Sequence, residues 1–258
     1  MTITMHEMDM LMAFVLRKPK EFVYSHPQYK LSKSQFNKFQ RLVRRREQGE
    51  PIAYLTGHKE FYGLDFIVNK HVLIPRPDTE TVIETVLPQL KPGQLVCDIG
   101  TGSGNIAITL KKSYPSVTLL ATDISQTALR VAKQNSKKLK APVTFYRGDV
   151  WQALPKIYSG KIDWLICNAP YLTKREAGKK SLRYEPPVAL TPQRDTLSII
   201  KKVIEQSPDW LSPSGKIVLE IGYNQANRIR KIVERVYPSA KMTVNKDYAQ
   251  LDRVVVIC

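Results

Sequence analysis

Three cysteines, Cys97, Cys167 and Cys258, are too few for a disulfide framework. They form no Cys-x-x-Cys pair and no zinc-binding spacing. Histidine is as scarce. The four, His6, His26, His58 and His71, all precede residue 72, so none stands near Cys167 in sequence to activate its thiol. Cys167 therefore reads as a small buried strand-end residue, not a nucleophile. No apolar run approaches the roughly 18 residues of a spanning helix. The best candidate, Met8 to Leu16, contains Asp9 and has no basic segment before it, which argues against a secretory signal. Together these absences predict a soluble, reduced, cytoplasmic protein with no metal and no membrane attachment.

Acidic residues are outnumbered 23 to 40, for a formal net charge of +17. Of these, 12 basic and seven acidic residues lie in the first 70, so the excess is spread along the chain and not held in a tail. It points to a polyanionic neighbour, with nucleic acid, ribosomal surroundings and an acidic protein surface all open. Apolar residues at 43% and charged residues at 24% exclude wholesale disorder. The length of 258 fits one generous α/β domain, or a domain of about 190 residues with a small appendage.

The first 50 or so residues read as short helices. Ser32 with Gln35 is a capping-box pattern, followed by Phe36, Phe39, Leu42 and Val43 at helical spacing. Lys38, Arg41, Arg44, Arg45 and Arg46 accompany that stripe, as a solvated face or as a docking surface. Glu60 to Asn69 reads as a β-hairpin around Gly63-Leu64-Asp65. After the stiff Pro75-Arg76-Pro77, Asp78 can cap a helix carrying Val82, Ile83, Val86, Leu87 and Leu90. Beyond Pro92-Gly93, apolar strands at 95–99, 117–122, 143–147, 164–167 and 216–220 alternate with helices at 105–113, 125–140, 196–206 and 225–236. That alternation predicts a doubly wound, mostly parallel sheet, with 254–257 as a last, antiparallel strand.

The first strand, Leu95 to Ile99, runs into Gly100-Thr101-Gly102-Ser103-Gly104 before a helix. Glycines allow close backbone approach, and the helix start offers unpaired N–H groups. A dinucleotide fingerprint wants its third glycine one residue later. Asp98 beside a pyrophosphate would also repel it, whereas it suits a ligand carrying an ammonium. S-adenosylmethionine is such a ligand. Asp123, after the second strand, can accept both ribose hydroxyls, and Gly148-Asp149-Val150, after the third, can supply a carboxylate near the adenine amine and an apolar wall.

The fourth strand ends in Asn168-Ala169-Pro170-Tyr171. This resembles the Asn-Pro-Pro-Tyr motif of methyltransferases acting on planar amino nitrogens. Such a nitrogen is a poor nucleophile because its lone pair is delocalised. Acceptors for its N–H groups stabilise charge that develops only in the transition state. The Asn168 side-chain oxygen and the Ala169 carbonyl are the two acceptors, and Tyr171 can lie against the flat group. Alanine at 169 keeps the carbonyl and loses proline's rigidity, which predicts a weaker or slower site.

Further segments carry a wider resemblance: Glu50-Pro51-Ile52-Ala53-Tyr54-Leu55-Thr56-Gly57, Phe61-Tyr62-Gly63-Leu64, Ile74-Pro75-Arg76-Pro77-Asp78-Thr79-Glu80, Tyr184-Glu185-Pro186, Leu219-Glu220-Ile221-Gly222 and Lys246-Asp247-Tyr248. The chain resembles the HemK/PrmC family, the protein-(glutamine-N5) methyltransferases of class-1 translation release factors. The resemblance implies an α/β, Rossmann-like class I S-adenosylmethionine-dependent methyltransferase sheet, with a helical docking domain at residues 1–58, a hairpin linker at 59–74 and a catalytic domain at 75–258. It implies methyl transfer to the Gly-Gly-Gln glutamine of a release factor; a monomer is expected. Carried over by position, the cofactor residues are Gly100, Thr101, Gly102, Ser103, Gly104, Asp123, Val150 and Asn168. The glutamine pocket is Asn168, Ala169, Pro170 and Tyr171, bordered by residues 73–76. Besides Ala169, the chain departs from the family in its short N-terminal region and at Thr191-Pro192-Gln193-Arg194-Asp195, where a glycine-containing loop is usual. Two other readings compete. A nucleic-acid N6-adenine or related base methyltransferase would use the basic loop Lys174, Arg175, Lys179, Lys180 and Arg183 against phosphates. A non-catalytic interaction module would rest on Ala169 alone.

Overall fold

Thr4 opens helix α1 (Met5–Leu16) with a reciprocal capping box, exchanging side-chain and backbone bonds with Glu7. The computed structural model, which describes residues 3–192 and 195–258, continues with α2 (Lys20–Ser25), α3 (Lys33–Glu47) and α4 (Ile52–Thr56). The Ser32–Gln35 capping box starts α3 as expected. Leu11, Val15, Leu42 and Leu55 form the small core of this helical unit. Phe39 and Val43 pack at its edge, but Phe36 is 47% exposed, because so narrow a core does not reach the first turn of α3. Three members of the basic stripe are engaged within the chain. Arg46 binds Glu7 at 2.6 Å, Arg45 binds Glu50 at 2.5 Å, and the Lys38 ammonium lies 4.4 Å from the Phe14 ring centroid.

The hairpin consists of β1 (His58–Phe61) and β2 (Leu64–Ile67), joined by Tyr62-Gly63. Both turn residues have positive φ, 50° and 72°, the geometry whose twist matches two-residue hairpins. Phe61 and Phe66 point into the main core, edge to face at 6.1 Å. Asp78 does not cap a helix. Pro77 starts a 3₁₀ turn over residues 77–79, helix α5 (Glu80–Val86) follows, and Asp78 pairs instead with Arg253 at 3.4 Å.

The remaining elements are β3 (Leu95–Ile99), α6 (Asn105–Ser113), β4 (Thr118–Asp123), α7 (Gln126–Leu139), β5 (Thr144–Arg147), β6 (Ile162–Asn168), α8 (Lys174–Ala177), α9 (Pro187–Leu190), α10 (Ser198–Gln206), β7 (Leu211–Glu220), α11 (Ala226–Val236), β8 (Met242–Lys246) and β9 (Asp252–Ile257). The seven strands lie in the order β5-β4-β3-β6-β7-β9-β8, parallel through β7 and antiparallel for β9 and β8. Both faces are covered, which is why β3 and β6 are apolar at most positions on both sides, with Asp98 and Asp163 the charged exceptions. Helices α5, α6 and α7 and the hairpin fill one face; α10, α11 and the stacked Trp151–Trp210 pair fill the other. Chain order reverses between β3 and β6, which places the two loops after these strands side by side, with Ile99 paired to Cys167.

Candidate functional site

A cleft of about 940 Å³ opens at the carboxyl ends of β3, β4, β5 and β6. That volume accommodates a cofactor together with part of a substrate. The glycine loop is fixed from below. The N–H groups of Gly100 and Thr101 both donate to the Thr122 carbonyl at 2.9 Å, and the Gly104 N–H donates to the Thr101 carbonyl. Buried Asn135 on α7 donates to the Ser103 carbonyl and exchanges two bonds with Ile67, so the loop is tied to the hairpin. Gly100, Thr101, Gly102 and Ser103 line the cleft. Gly104 does not. It leads into α6 at φ 82°, packed against Ile108 and Ala132.

Asp98, wholly buried below the loop, accepts the Thr101 hydroxyl at 2.6 Å through Oδ2, while Oδ1 makes no regular hydrogen bond. Burial pushes its carboxyl up to about 7, with the Thr101 bond opposing. Asp123 lines the cleft. Its oxygens accept the Gly102 N–H at 2.9 Å and the Ser125 N–H at 2.8 Å. Each oxygen keeps lone-pair capacity for a further donor, which is what a vicinal diol requires. Val150 lines the cleft from a left-handed backbone, φ 53°, a strained conformation for a β-branched residue. Asp149, also on the wall, is ion-paired with Lys202 at 2.6 Å.

Asn168, Ala169 and Pro170 line the cleft beside the glycine loop. The Asn168 Nδ2 donates to the Thr79 hydroxyl at 3.3 Å, and no described donor is bonded to the Ala169 carbonyl. Tyr171 turns away from the cleft. Its hydroxyl donates to Glu220 Oε1 at 3.3 Å and accepts from Arg253 at 3.4 Å, so it braces the loop from behind. Cys167 is buried, and burial pushes its thiol well up, consistent with an inert strand-end residue.

Sequence spacing assigned no role to several residues that hold this site. Glu185, 4% exposed, accepts the Ile74 N–H at 3.0 Å and pairs with Arg76, so it fixes the cleft rim formed by Leu73, Pro75 and Arg76. The preceding residues, Arg183 and Tyr184, both donate to the Gln48 carbonyl of the helical unit. Arg253 binds Asp247 at 2.9 Å as well as Asp78 and Tyr171. The earlier signals were that Glu185, Tyr184, Arg76, Asp78 and Asp247 lie inside segments shared with a family, and that Arg183 belongs to the basic loop; Arg253 carried none. Of the departing loop after Leu190, Gln193 and Arg194 lie outside the described residues.

The methyltransferase small domain matches residues 78–249, and the PrmC N-terminal domain matches residues 4–57. A release factor glutamine methyltransferase of Koribacter versatilis is 36% identical over 254 residues, covering 96% of this chain and 89% of that protein. The protein of the same name from Enterococcus faecalis is 40% identical over 210 residues, 80% of this chain and 75% of the relative. Among solved structures, a methyltransferase from Pyrococcus furiosus superposes with a TM-score of 0.56 at 18% identity, over 83% of this chain and 97% of its own. The hMettl16 catalytic domain in complex with MAT2A 3'UTR hairpin 1 gives 0.60 at 16% identity, over 95% and 90%. At such identities the structures speak to the fold alone, which is that of methyltransferases. With two family domains matched in order and relatives aligned over nearly its whole length, the chain belongs to the family of the release factor glutamine methyltransferases.

Proposed function

We propose that this protein transfers the methyl group of S-adenosylmethionine to the side-chain amide nitrogen of the glutamine in the Gly-Gly-Gln motif of a class-1 release factor. The observation that carries the reading is the placement of Asn168 and Ala169, whose carbonyl is bonded to no described donor, on the cleft wall beside the glycine loop. The residues present fit the cofactor. Asp123 has lone pairs left for a ribose diol, Gly100 to Ser103 leave the loop open to close approach, and Val150 supplies an apolar wall for adenine. When bound, S-adenosylmethionine supplies a methyl activated by its sulfonium. Asn168 and the Ala169 carbonyl accept the two N–H groups of the incoming amide, which draws its lone pair out of conjugation and orients it. Pro170 stiffens the loop, and Tyr171 holds it through Glu220 and Arg253.

The helical unit up to residue 58 is the docking domain in this reading, the hairpin at 59–74 the linker and 75–258 the catalytic domain. The protein acts as a monomer in the cytoplasm, where its substrate works. No described helix is long and apolar enough to cross a membrane.

The test offers labelled S-adenosylmethionine with a release factor and with mixed RNA and DNA, side by side. Label on the Gly-Gly-Gln glutamine is expected. Asn168→Ala should lower kcat by about 100-fold or more while cofactor affinity stays within a few-fold. Label on nucleic acid alone, or an Asn168→Ala variant with unchanged transfer, would overturn the assignment.

A further inference from the structure

Beside Asn168, two buried polar residues come from distant parts of the chain, Thr79 on the cleft wall and Glu220 in the neighbouring strand β7. Thr79 is 1% exposed, and its hydroxyl oxygen accepts the hydrogen bond from Asn168 Nδ2. Glu220 is 2% exposed and sits directly opposite Asn168 in the β6–β7 register. One of its carboxylate oxygens takes the Tyr171 hydroxyl. The other, Oε2, is buried and makes no regular hydrogen bond. A buried acceptor of this kind calls for a proton; burial pushes the Glu220 carboxyl up to about 7, and the neighbouring Thr79 hydroxyl is the first group that opposes this and favours the ionised form.

A hydroxyl has one proton, and the ionised form of Glu220, the form that Thr79 favours against burial, only accepts. With that proton directed at Glu220, Thr79 has nothing but lone pairs to offer Asn168. The amide must then approach with its NH₂ group, and its planarity puts Oδ1 on the other side. Were the Thr79 proton turned toward Asn168, the amide would flip and present N–H donors to a substrate nitrogen that also carries N–H donors.

We propose that Thr79 and Glu220 are positioning residues that set the orientation of the Asn168 amide, so that its oxygen and not its nitrogen faces the substrate amide. Glu220 polarises Thr79, and Thr79 selects the amide face. The inference rests on the glutamine-methyltransferase reading above.

Two substitutions at position 79 separate positioning from packing. Thr79→Val keeps the shape and loses the hydroxyl; Thr79→Ser keeps the hydroxyl and loses the methyl. Steady-state transfer to a purified release factor gives kcat and KM, and calorimetry gives the Kd for S-adenosylmethionine. Thr79→Val is expected to lower kcat by about 10- to 100-fold with cofactor Kd within about three-fold of wild type, while Thr79→Ser stays within about three-fold in kcat. Glu220→Gln, which can donate to Thr79 and reverse its proton, should lower kcat in the same way at unchanged cofactor Kd. Valine equal to or better than serine would overturn the proposal, because that is the order packing dictates. An unchanged kcat in Glu220→Gln would overturn it independently, even if Thr79→Val failed to fold. Wild-type protein that places no label on the glutamine would instead remove the reading beneath it.

Discussion

A methyl group built on Gly104 would stand 2.6 Å from Ile108 Cδ1 and 3.3 Å from Ala132 Cβ. At Gly102, by contrast, nothing lies within 4 Å. Both have positive φ, which costs an L side chain about 1–2 kcal/mol, but only Gly104 adds an overlap with a packed core. Gly104→Ala should therefore lose about 2–4 kcal/mol of unfolding free energy, and Gly102→Ala about 1 kcal/mol. Cofactor affinity should fall more in Gly102→Ala, whose methyl points into open space beside the cleft. Urea unfolding and calorimetric titration of the two variants check this, and the reverse order in stability would refute the division of labour. One run of sequence, Gly-Thr-Gly-Ser-Gly, thus showed a ligand loop without showing which glycine serves packing. The same limit hid Thr79 and Glu220. Each is unremarkable in its own segment, and their meaning comes from positions 79, 168 and 220 meeting in space.

Among elements, the rim segment 73–76 is held by a side chain more than 100 positions away in sequence. Glu185→Ala would leave the buried Ile74 N–H without an acceptor and Arg76 without its partner. The expected loss is about 2–3 kcal/mol, discounted because the Arg76 side chain is 36% exposed. Release-factor KM should rise, and cofactor Kd should stay near wild type because the glycine loop is braced separately through Asn135. Denaturant midpoints and the KM comparison would show it; a loss confined to cofactor binding would count against this account. Elements with strong periodicity were legible: β3 and α6 lie at the residues the pattern predicts. Strand β8 was not, because Thr243, Asn245 and Lys246 make it a half-polar edge strand. Helices α8 and α9, four residues each, are too short to show a period. Asp78 misled because N-capping chemistry was weighed without the distant Arg253 that claims it.

For the molecule as a whole, carboxylates of opposite tendency bound the pH range of stability. Burial pushes Asp98 and Glu220 up to about 7 each. A group with a raised folded pKa stabilises fully below its unfolded value, and that contribution is lost as pH rises through 7. Glu7 and Asp247 behave oppositely. Burial raises them, but Arg46 and the Thr4 N–H outweigh it at Glu7, and the Leu251 N–H and Arg253 outweigh it at Asp247, so both are lowered. Their contribution is present above the ordinary carboxylate range and lost on acidification. Urea midpoints at constant salt should peak near about pH 4–5, fall as pH rises to about 7 and level off above it; a midpoint that climbs steadily from pH 5 to 7 would contradict the assignment. The parallel architecture at this scale was readable from the alternation of apolar strands and helices. The strand order was not, since pairing β9 between β7 and β8 is a long-range choice that no local pattern encodes.

Residues 183–185 touch two parts of the molecule at once, Gln48 in the helical unit on one side and the cleft rim on the other. This has a consequence for protein engineering. A chimera that exchanges the N-terminal 57 residues for those of a relative, aiming to redirect the enzyme to another release factor, cuts through that three-residue bracket. The graft would carry its own Gln48 equivalent but inherit a foreign Arg183-Tyr184-Glu185. Transplanting residues 183–185 together with the N-terminal unit keeps recipient and donor surfaces matched, although the two pieces are separated by more than 120 positions in the gene product.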